Sequence, residues 1–259
     1  MKFGDKIYFS TEQDELLPFK KTKIKIDENY NYLPNNLVYN LSSFLTYRLL
    51  ATPYAFISFK ILKNVKFHNA HLLKHHKKGG YFIYANHTNQ FCDGFCPALI
   101  CFPKKPHIIV DASNISLPII GKFTKMWGAL PVPDNVQATK NFYQAIECVL
   151  KKNNPILIYP EAHLWPYYTK IRNFSSTSFR YPVKFNKPVF TFTTIYTKKN
   201  FSKKPNIDIY VDGPFYPNNK LNEKQAQQEL CTKIFQTLNM RASLSNYEYV
   251  NYIKRGEHD

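Results

Sequence analysis

Two short apolar stretches, each followed at once by polar side chains, constrain the fold more than any other feature. Tyr81–Tyr84 runs into Asn86 and His87, and Ile156–Tyr159 runs into Glu161. Dense aromatic and β-branched residues favour buried strands. Polar groups at strand ends fit the mouth of an α/β sheet, where loops bring side chains together without breaking the ladder. The pattern predicts one sheet that carries both polar clusters at the same edge.

A histidine and an acid follow the first of these strands. His87 ends the strand, and Asp93 comes six positions later, just before an apolar segment at 94–100 that reads as a short helix. A base at a strand end and an acid at the next helix start predict a general-base site. A purely structural ion pair would give the same pattern.

The rest of the chain alternates strands and helices. Asp134 with Gln137 is a capping-box pattern and predicts the start of a long helix that ends near Leu150. We expect further strands at 107–112, 129–132, 189–196 and 207–211, and helices at 117–127 and 223–244. The fold class is therefore α/β, with a mixed and mostly parallel sheet flanked by helices.

Four short blocks follow one another between roughly residues 80 and 195. They are Asn86-His87 with Asp93, Gly128–Asn135, Tyr159-Pro160-Glu161-Ala162 and Lys187–Thr193. Their order resembles that of the motifs of the glycerophospholipid acyltransferase superfamily (PlsC-like), whose first motif is Asn-His followed by Asp and whose third is Phe-Pro-Glu-Gly. Each block alone is weak, but four in the right order form a specific signal.

The chain departs from the family pattern at three places. Five residues separate His87 from Asp93, where the family usually has four, and a bulge can absorb the extra residue. Asn135 replaces an arginine of the second block, and Ala162-His163-Leu164 replaces Gly-Thr-Arg after the glutamate. In the family these arginines hold the acceptor's phosphate. Either other cations do so here, or the acceptor carries no phosphate.

Three cations downstream of Glu161 are candidates for that role. Because guanidinium binds phosphate through two parallel bonds, Arg172 is the first choice, Lys170 the second, and Arg180 a further option. Each is equally well explained as a surface cation of a basic protein. The resemblance also implies that Asn86 belongs to the substrate site.

The resemblance implies acyl transfer from a thioester to an alcohol. An alcohol is a weak nucleophile at neutral pH, so a base must remove its proton, and imidazole is suited to this work. His87 is the predicted base, and Asp93 is predicted to orient its ring, as in a triad whose serine is replaced by the acceptor hydroxyl. Glu161 orients the acceptor's hydroxyls, or else is structural. Backbone N–H groups near the two strand ends are expected to stabilise the oxyanion.

No metal or cofactor is needed for this chemistry. The co-substrate is an acyl thioester, either acyl-CoA or an acylated carrier protein. Four histidines, His68, His71, His75 and His76, lie at offsets that share one helical face, but neighbouring lysines and the lack of acidic or Cys ligands favour a solvated linker.

The chain divides into an N-terminal arm (1–35), a helical membrane-associating element (36–78) and the acyltransferase α/β domain (79–259). The alternation of charged and aromatic residues in 1–35 indicates an ordered arm or a short hairpin. In the second segment Pro53 is expected to kink or break an apolar helix. The uncharged run between Arg48 and Lys60 is too short for a bilayer, which needs about 20 apolar residues. The segment therefore packs on the domain or lies in the headgroup layer, and the family resemblance favours the second.

Charge and cysteine usage indicate the compartment and the partners. Thirty-five Lys and Arg against 18 Asp and Glu give +17, which attracts an anionic membrane surface or acidic substrates. Nucleic acid is not expected, because no recognition motif accompanies the charge. The five cysteines are predicted to be free thiols. With no signal sequence in the charged residues 1–26, we expect a cytoplasmic protein bound peripherally (monotopically) to a membrane.

These features together predict an O-acyltransferase similar to 1-acylglycerol-3-phosphate acyltransferases, with a lipid acceptor and an acyl thioester donor. An O-acyltransferase with a non-phosphate acceptor, a catalytically lapsed lipid-binding protein and, from a different class, an RNA-binding module remain the alternatives.

Overall fold

A seven-stranded sheet forms the centre of the computed structural model, which describes residues 1–17, 24–76, 78–116 and 120–256, without the side chains of residues 120 and 122. The strand order is β2-β8-β7-β3-β6-β4-β5. Five neighbouring strands, from β7 to β5, are parallel, β8 is antiparallel to β7, and β2 is parallel to β8. The strands are β2 (Lys66–His68), β3 (Phe82–Ala85), β4 (His107–Val110), β5 (Ala129–Pro131), β6 (Ile156–Ile158), β7 (Val189–Thr197) and β8 (Asn206–Phe215). The predicted mixed, mostly parallel α/β sheet is confirmed.

Helices cover both faces of this sheet. The α-helices are α1 (Leu37–Thr46), α2 (Thr52–Ala55), α3 (His71–Lys74), α4 (Gln90–Ile100), α5 (Ile120–Met126), α6 (Val136–Lys151), α7 (Arg180–Phe185) and α8 (Glu223–Ala242). Phe82 and Tyr84 of β3 pack with the core beneath α6 and α8, whereas Ile83 and Ala85 pack with the core beneath α4. Side chains that alternate along a strand point to opposite faces, so β3, buried throughout, is the middle of a three-layer domain.

Two predicted helix starts are corrected. α4 begins at Gln90, so that Asp93 lies inside its first turn rather than before it. The cap of α6 is Asn135, whose side chain accepts from the third residue of the helix, and not Asp134. The Asp134 carboxylate instead accepts from the Ile26 N–H at 2.7 Å, so a contact with the distant arm replaces the local cap.

The N-terminal arm is ordered where it is described. Its strand β1 (Lys6–Phe9) pairs in parallel with the C-terminal strand β9 (Asn251–Lys254), which gives a separate two-stranded sheet. The basic run 20–26 lies partly outside the described residues, as does the start of the helix predicted at 117–127.

Pro53 does not break the helical segment. The chain stays helical from Leu37 to Leu62, with π-helical stretches at Tyr47–Ala51 and Phe56–Leu62 on either side of α2. Pro53, which has no N–H to donate, lies in α2, which directly follows the first of these π-helical stretches. Within the described residues, no helix combines the length and the apolar character needed to cross a membrane.

The segment after this helix joins the main domain. β2, which lies within the predicted 36–78 element, is the edge strand of the seven-stranded sheet. The histidines predicted to share one helical face are divided between β2 (His68), α3 (His71) and the turn that follows (His75 and His76). His68 pairs with Asp208 of β8, 2.7 Å from its Nε2 atom.

The prediction that all five cysteines are free is wrong for two of them. Cys92 and Cys96 form a disulfide within α4, while Cys101, Cys148 and Cys231 are free. The two residues lie one helical turn apart with Cα atoms 5.0 Å from each other, within the range that a disulfide can bridge. Cysteine usage therefore gives no argument for a reducing compartment.

Candidate active site

The two polar strand ends meet at one edge of the sheet. β3 and β6 are parallel neighbours, with Tyr84 opposite Ile158, so His87 and Glu161 both lie just beyond their carboxyl ends. The Glu161 carboxylate accepts a hydrogen bond from the backbone N–H of His87 at 3.0 Å. The sequence predicted this arrangement, with both polar clusters at one edge of the sheet, which we call the active edge.

His87 and Asp93 are in direct contact despite the five-residue separation. Nδ1 of His87 lies 2.8 Å from Oδ2 of Asp93. The same oxygen accepts from the backbone N–H groups of Thr88 and Asn89 at 3.0 and 2.9 Å. Because Asn89 caps α4, the helix begins early enough to place Asp93 in its first turn and turn its carboxylate back over the loop.

The hydrogen bonds of Asp93 define the tautomer of the histidine. The acid is almost fully buried and sits in the first turn of a helix, where the helix dipole favours a negative charge. A carboxylate only accepts, so Nδ1 of His87 carries the proton and Nε2 of the neutral ring presents a lone pair. The His87 side chain is 23% exposed, so the ring is reachable from solvent.

Tyr159 holds this pair in place, a role that the sequence did not reveal. Its ring stacks on the His87 ring with centroids 4.3 Å apart, and its hydroxyl donates to the backbone carbonyl of Asp93 at 2.6 Å. Burial, and secondarily the nearby Asp93, raise the pKa of Tyr159 well above its ordinary value, so the phenol remains a donor. The one available signal was its place in the Tyr-Pro-Glu block.

Arg172 binds Glu161 instead of facing an open site. Its guanidinium is fully buried, with an Nη atom 3.3 Å from the Glu161 carboxylate, and it also donates to the backbone carbonyls of Glu12 and His163. The Arg172 N–H donates to Glu161 at 2.9 Å. Burial raises the pKa of Glu161, while the guanidinium and the backbone donors oppose that rise. The geometry supports the structural interpretation of Glu161 and gives Arg172 no contact with an open space.

The other predicted binding residues are placed differently. The Asn86 side chain is buried and bonds both backbone groups of Thr194, which joins β3 to β7. Lys170 is exposed in the loop after β6. Arg180 donates to the Tyr181 hydroxyl at 3.2 Å and lies over the Tyr143 ring, at the sheet face beneath α6.

The backbone donors at the end of β3 are already used. His87 N–H bonds Glu161, and the N–H groups of Thr88 and Asn89 bond Asp93. These three N–H groups therefore do not supply the oxyanion hole expected at this strand end. Across the described ranges, no group of three His, Cys, Asp or Glu side chains is arranged to hold a metal ion.

The loop after β6 folds back over the histidine. Trp165 N–H donates to the His87 carbonyl at 3.0 Å, and Tyr167 N–H donates to the Thr88 carbonyl at 2.8 Å. Ala162, at the position of the family's glycine, has a φ of 63°, in the left-handed region that favours glycine. The backbone at this position thus keeps the conformation for which a glycine is suited.

Comparison with known proteins agrees with this geometry. Residues 64–195, about half of the chain, match the acyltransferase family model. The chain belongs to the acyltransferase family. The match runs from just before β2 to near the end of β7 and so includes His87, Asp93 and Glu161. The resemblance to the glycerophospholipid acyltransferase superfamily is thereby confirmed.

A solved structure shares the fold of this acyltransferase. It is the crystal structure of the 1-acyl-sn-glycerophosphate (LPA) acyltransferase PlsC from Thermotoga maritima, with a TM-score of 0.51 and 14% sequence identity. The similarity covers 82% of this chain and 98% of the other. No match is found among curated protein sequences.

Proposed function

We propose that this acyltransferase moves a fatty acyl group from an acyl thioester to a hydroxyl of a lysophospholipid or glycerol phosphate at a membrane surface. The observation that carries the proposal is the bond between Nδ1 of His87 and the anchored carboxylate of Asp93. It leaves Nε2 as a proton acceptor on a ring that solvent can reach.

The reaction follows from these roles. The acceptor oxygen attacks the thioester carbonyl carbon while Nε2 of His87 takes its proton. Asp93 stabilises the resulting imidazolium through the Nδ1–H bond. The tetrahedral intermediate then breaks its carbon–sulfur bond, and the imidazolium returns the proton to the leaving thiolate. The products are an ester and a free thiol, such as CoA or a carrier-protein thiol, with no covalent enzyme intermediate.

The exposed face of the helical segment 37–62 supports a membrane location. Twelve of its large apolar side chains face solvent, with Leu37 82% and Leu62 76% exposed. The others are Val38, Leu41, Phe44, Leu45, Leu49, Leu50, Tyr54, Phe56, Ile57 and Ile61. So many exposed apolar side chains on one helical segment are unusual for a monomeric protein in water and fit an interfacial anchor that lies in the headgroup layer.

A non-phosphate acceptor is the second candidate, and specific observations favour it. Asn135, at the family's second-block arginine, is a helix cap, and Arg172 is buried against Glu161. Neither presents a cation to a phosphate. Lys170 is the remaining cation from the sequence prediction that is exposed. If the acceptor carries a phosphate, we expect Lys170 to bind it.

The test is ester formation followed by mass spectrometry, with an acyl-CoA donor and a panel of acceptors with and without phosphate. His87→Ala is expected to abolish transfer to every acceptor. His68→Ala is the matched control, because it removes another His–Asp pair, 2.7 Å long, on edge strand β2. That variant should keep wild-type activity.

Each outcome decides between the alternatives. If lysophosphatidate is acylated and Lys170→Gln raises its KM, the phosphate acceptor is supported. If only acceptors without phosphate are acylated, the second candidate replaces it. If the wild-type protein acylates no acceptor from acyl-CoA or an acylated carrier protein yet sediments with liposomes, a catalytically lapsed lipid-binding protein is the correct description.

A further inference from the structure

The turn between β7 and β8 has an unusual composition. Its sequence is Lys198-Lys199-Asn200-Phe201-Ser202-Lys203-Lys204, so one aromatic residue lies between two pairs of lysines. Phe201 is 109% exposed, and all four lysines are exposed. Leaving a phenyl ring in water forgoes the gain of burying it, and four like charges repel one another, so this tip lacks what would stabilise it in solution.

The base of the turn is nevertheless held firmly. The Asn246 side chain accepts from the Lys198 N–H at 2.9 Å, and the Tyr247 hydroxyl donates to the Lys203 carbonyl at 2.9 Å. Asn206 donates to the Lys198 carbonyl at 3.2 Å. These bonds fix both arms of the turn, so the fold presents Phe201 at a defined place.

That place is the active edge of the sheet. β7 runs parallel to β3, with Phe192 opposite Ala85, and it continues for five more residues beyond that pair. At about 3.3 Å per residue, the tip stands well beyond the level of His87 on the same side of the sheet.

The tip also adjoins the apolar helical segment. β2 and β8 are parallel with Lys66 opposite Asp208, so extending that register places Lys63 beside residue 205. Partial burial lowers the pKa of Lys63, and the ammonium group of Lys204 lowers it further. The second effect agrees with a position of Lys63 beside the turn. Phe201 and the exposed Leu62 thus lie on neighbouring parts of the fold at this edge of the sheet.

We propose that the β7–β8 turn is a second membrane contact, which inserts Phe201 among the headgroups of an anionic bilayer while its four lysines bind lipid phosphates. This inference deepens the membrane association proposed above and rests on it. The turn and the helical segment 37–62 then contact the lipid at two separate places. Two contacts set the orientation of the active site relative to the membrane surface. A bilayer satisfies both the apolar and the cationic groups, whereas an acidic carrier protein would leave the adjoining apolar face uncovered.

The experiment is co-sedimentation of the full chain with phosphatidylcholine vesicles, with and without phosphatidylglycerol. Lys199→Gln combined with Lys203→Gln should weaken binding to the anionic vesicles about 30-fold, and added salt should reduce this difference. Phe201→Ser should weaken binding about tenfold.

Matched controls come from the opposite edge of the sheet, where β8 ends. Tyr216→Ser removes an exposed aromatic residue, and Lys220→Gln combined with Lys224→Gln removes two exposed lysines. Both variants should bind vesicles like the wild type. If the turn variants also bind like the wild type, or if the controls lose as much as the turn variants, the proposed contact is wrong.

Activity with short-chain, water-soluble substrates separates this inference from the proposed function. The turn variants should acylate such an acceptor at the wild-type rate while losing vesicle binding. A wild-type protein that acylates no acceptor, whether soluble or in vesicles, would instead refute the proposed function, whatever its binding to vesicles. If the turn variants keep vesicle binding but lose activity only with an acylated carrier protein, the turn is a carrier-docking site and the bilayer assignment is overturned.

Discussion

Asp93→Asn separates the electrostatic role of the acid from its structural role. Oδ2 of Asp93 accepts from two backbone N–H groups as well as from His87. The amide of an asparagine must turn its oxygen toward those N–H groups, since its NH2 would meet other donors there. The histidine therefore keeps its acceptor and its tautomer, and the variant loses only the negative charge.

The magnitude of that loss follows from the geometry. Unit charges about 4 Å apart attract by about 4 kcal/mol at an effective dielectric constant near 20. Because the His87 side chain is partly exposed, we take about 3 kcal/mol, which corresponds to a fall in kcat of about 100- to 1000-fold. KM and the thermal midpoint should change little. A kcat within tenfold of the wild type would refute the claim that Asp93 stabilises the protonated imidazole.

Three further predictions concern the surroundings of the site and the core. Tyr159→Phe keeps the stacked ring but loses the bond to the Asp93 carbonyl, so we expect a loss of about 1 kcal/mol, seen as an about fivefold lower kcat with unchanged KM. Arg172→Ala leaves Glu161 buried and unpaired, and urea unfolding should show a loss of about 3–5 kcal/mol, partly recovered when Glu161→Gln is added. Burial lowers the pKa of His107 to about 3, against 6.5 when unfolded, so between these values only the unfolded chain binds the proton and stability falls as pH falls. From pH 7 to 4 the wild type should lose about 3 kcal/mol more than His107→Gln, and an equal loss in both would contradict this reasoning.

The sequence predicted the active edge because strand ends carry a local signal. His87 and Glu161 each follow an apolar stretch. They come together whenever the two strands are parallel neighbours, which is the ordinary arrangement in α/β folds. The extra residue before Asp93 did not matter, because Asn89 caps the helix one turn earlier than predicted.

Features that depend on distant contacts were not predictable. Asp134 is part of a capping-box pattern, but its carboxylate accepts a hydrogen bond from the backbone N–H of Ile26 in the arm instead of capping α6. Arg172 looks like any loop cation, and its burial depends on Glu161 and on the Glu12 carbonyl, 160 residues away in sequence. The stacking of Tyr159 on the histidine likewise exists only once β6 lies beside β3.

The most direct test of the central claim is the protonation of the His87 ring nitrogens, measured by long-range ¹H–¹⁵N correlation in protein with labelled histidine. The neutral ring should carry its proton on Nδ1, bonded to Asp93, with Nε2 bare and able to take a proton from the acceptor hydroxyl. A neutral ring protonated on Nε2 would contradict the proposed role of His87, because such a histidine cannot act as the base.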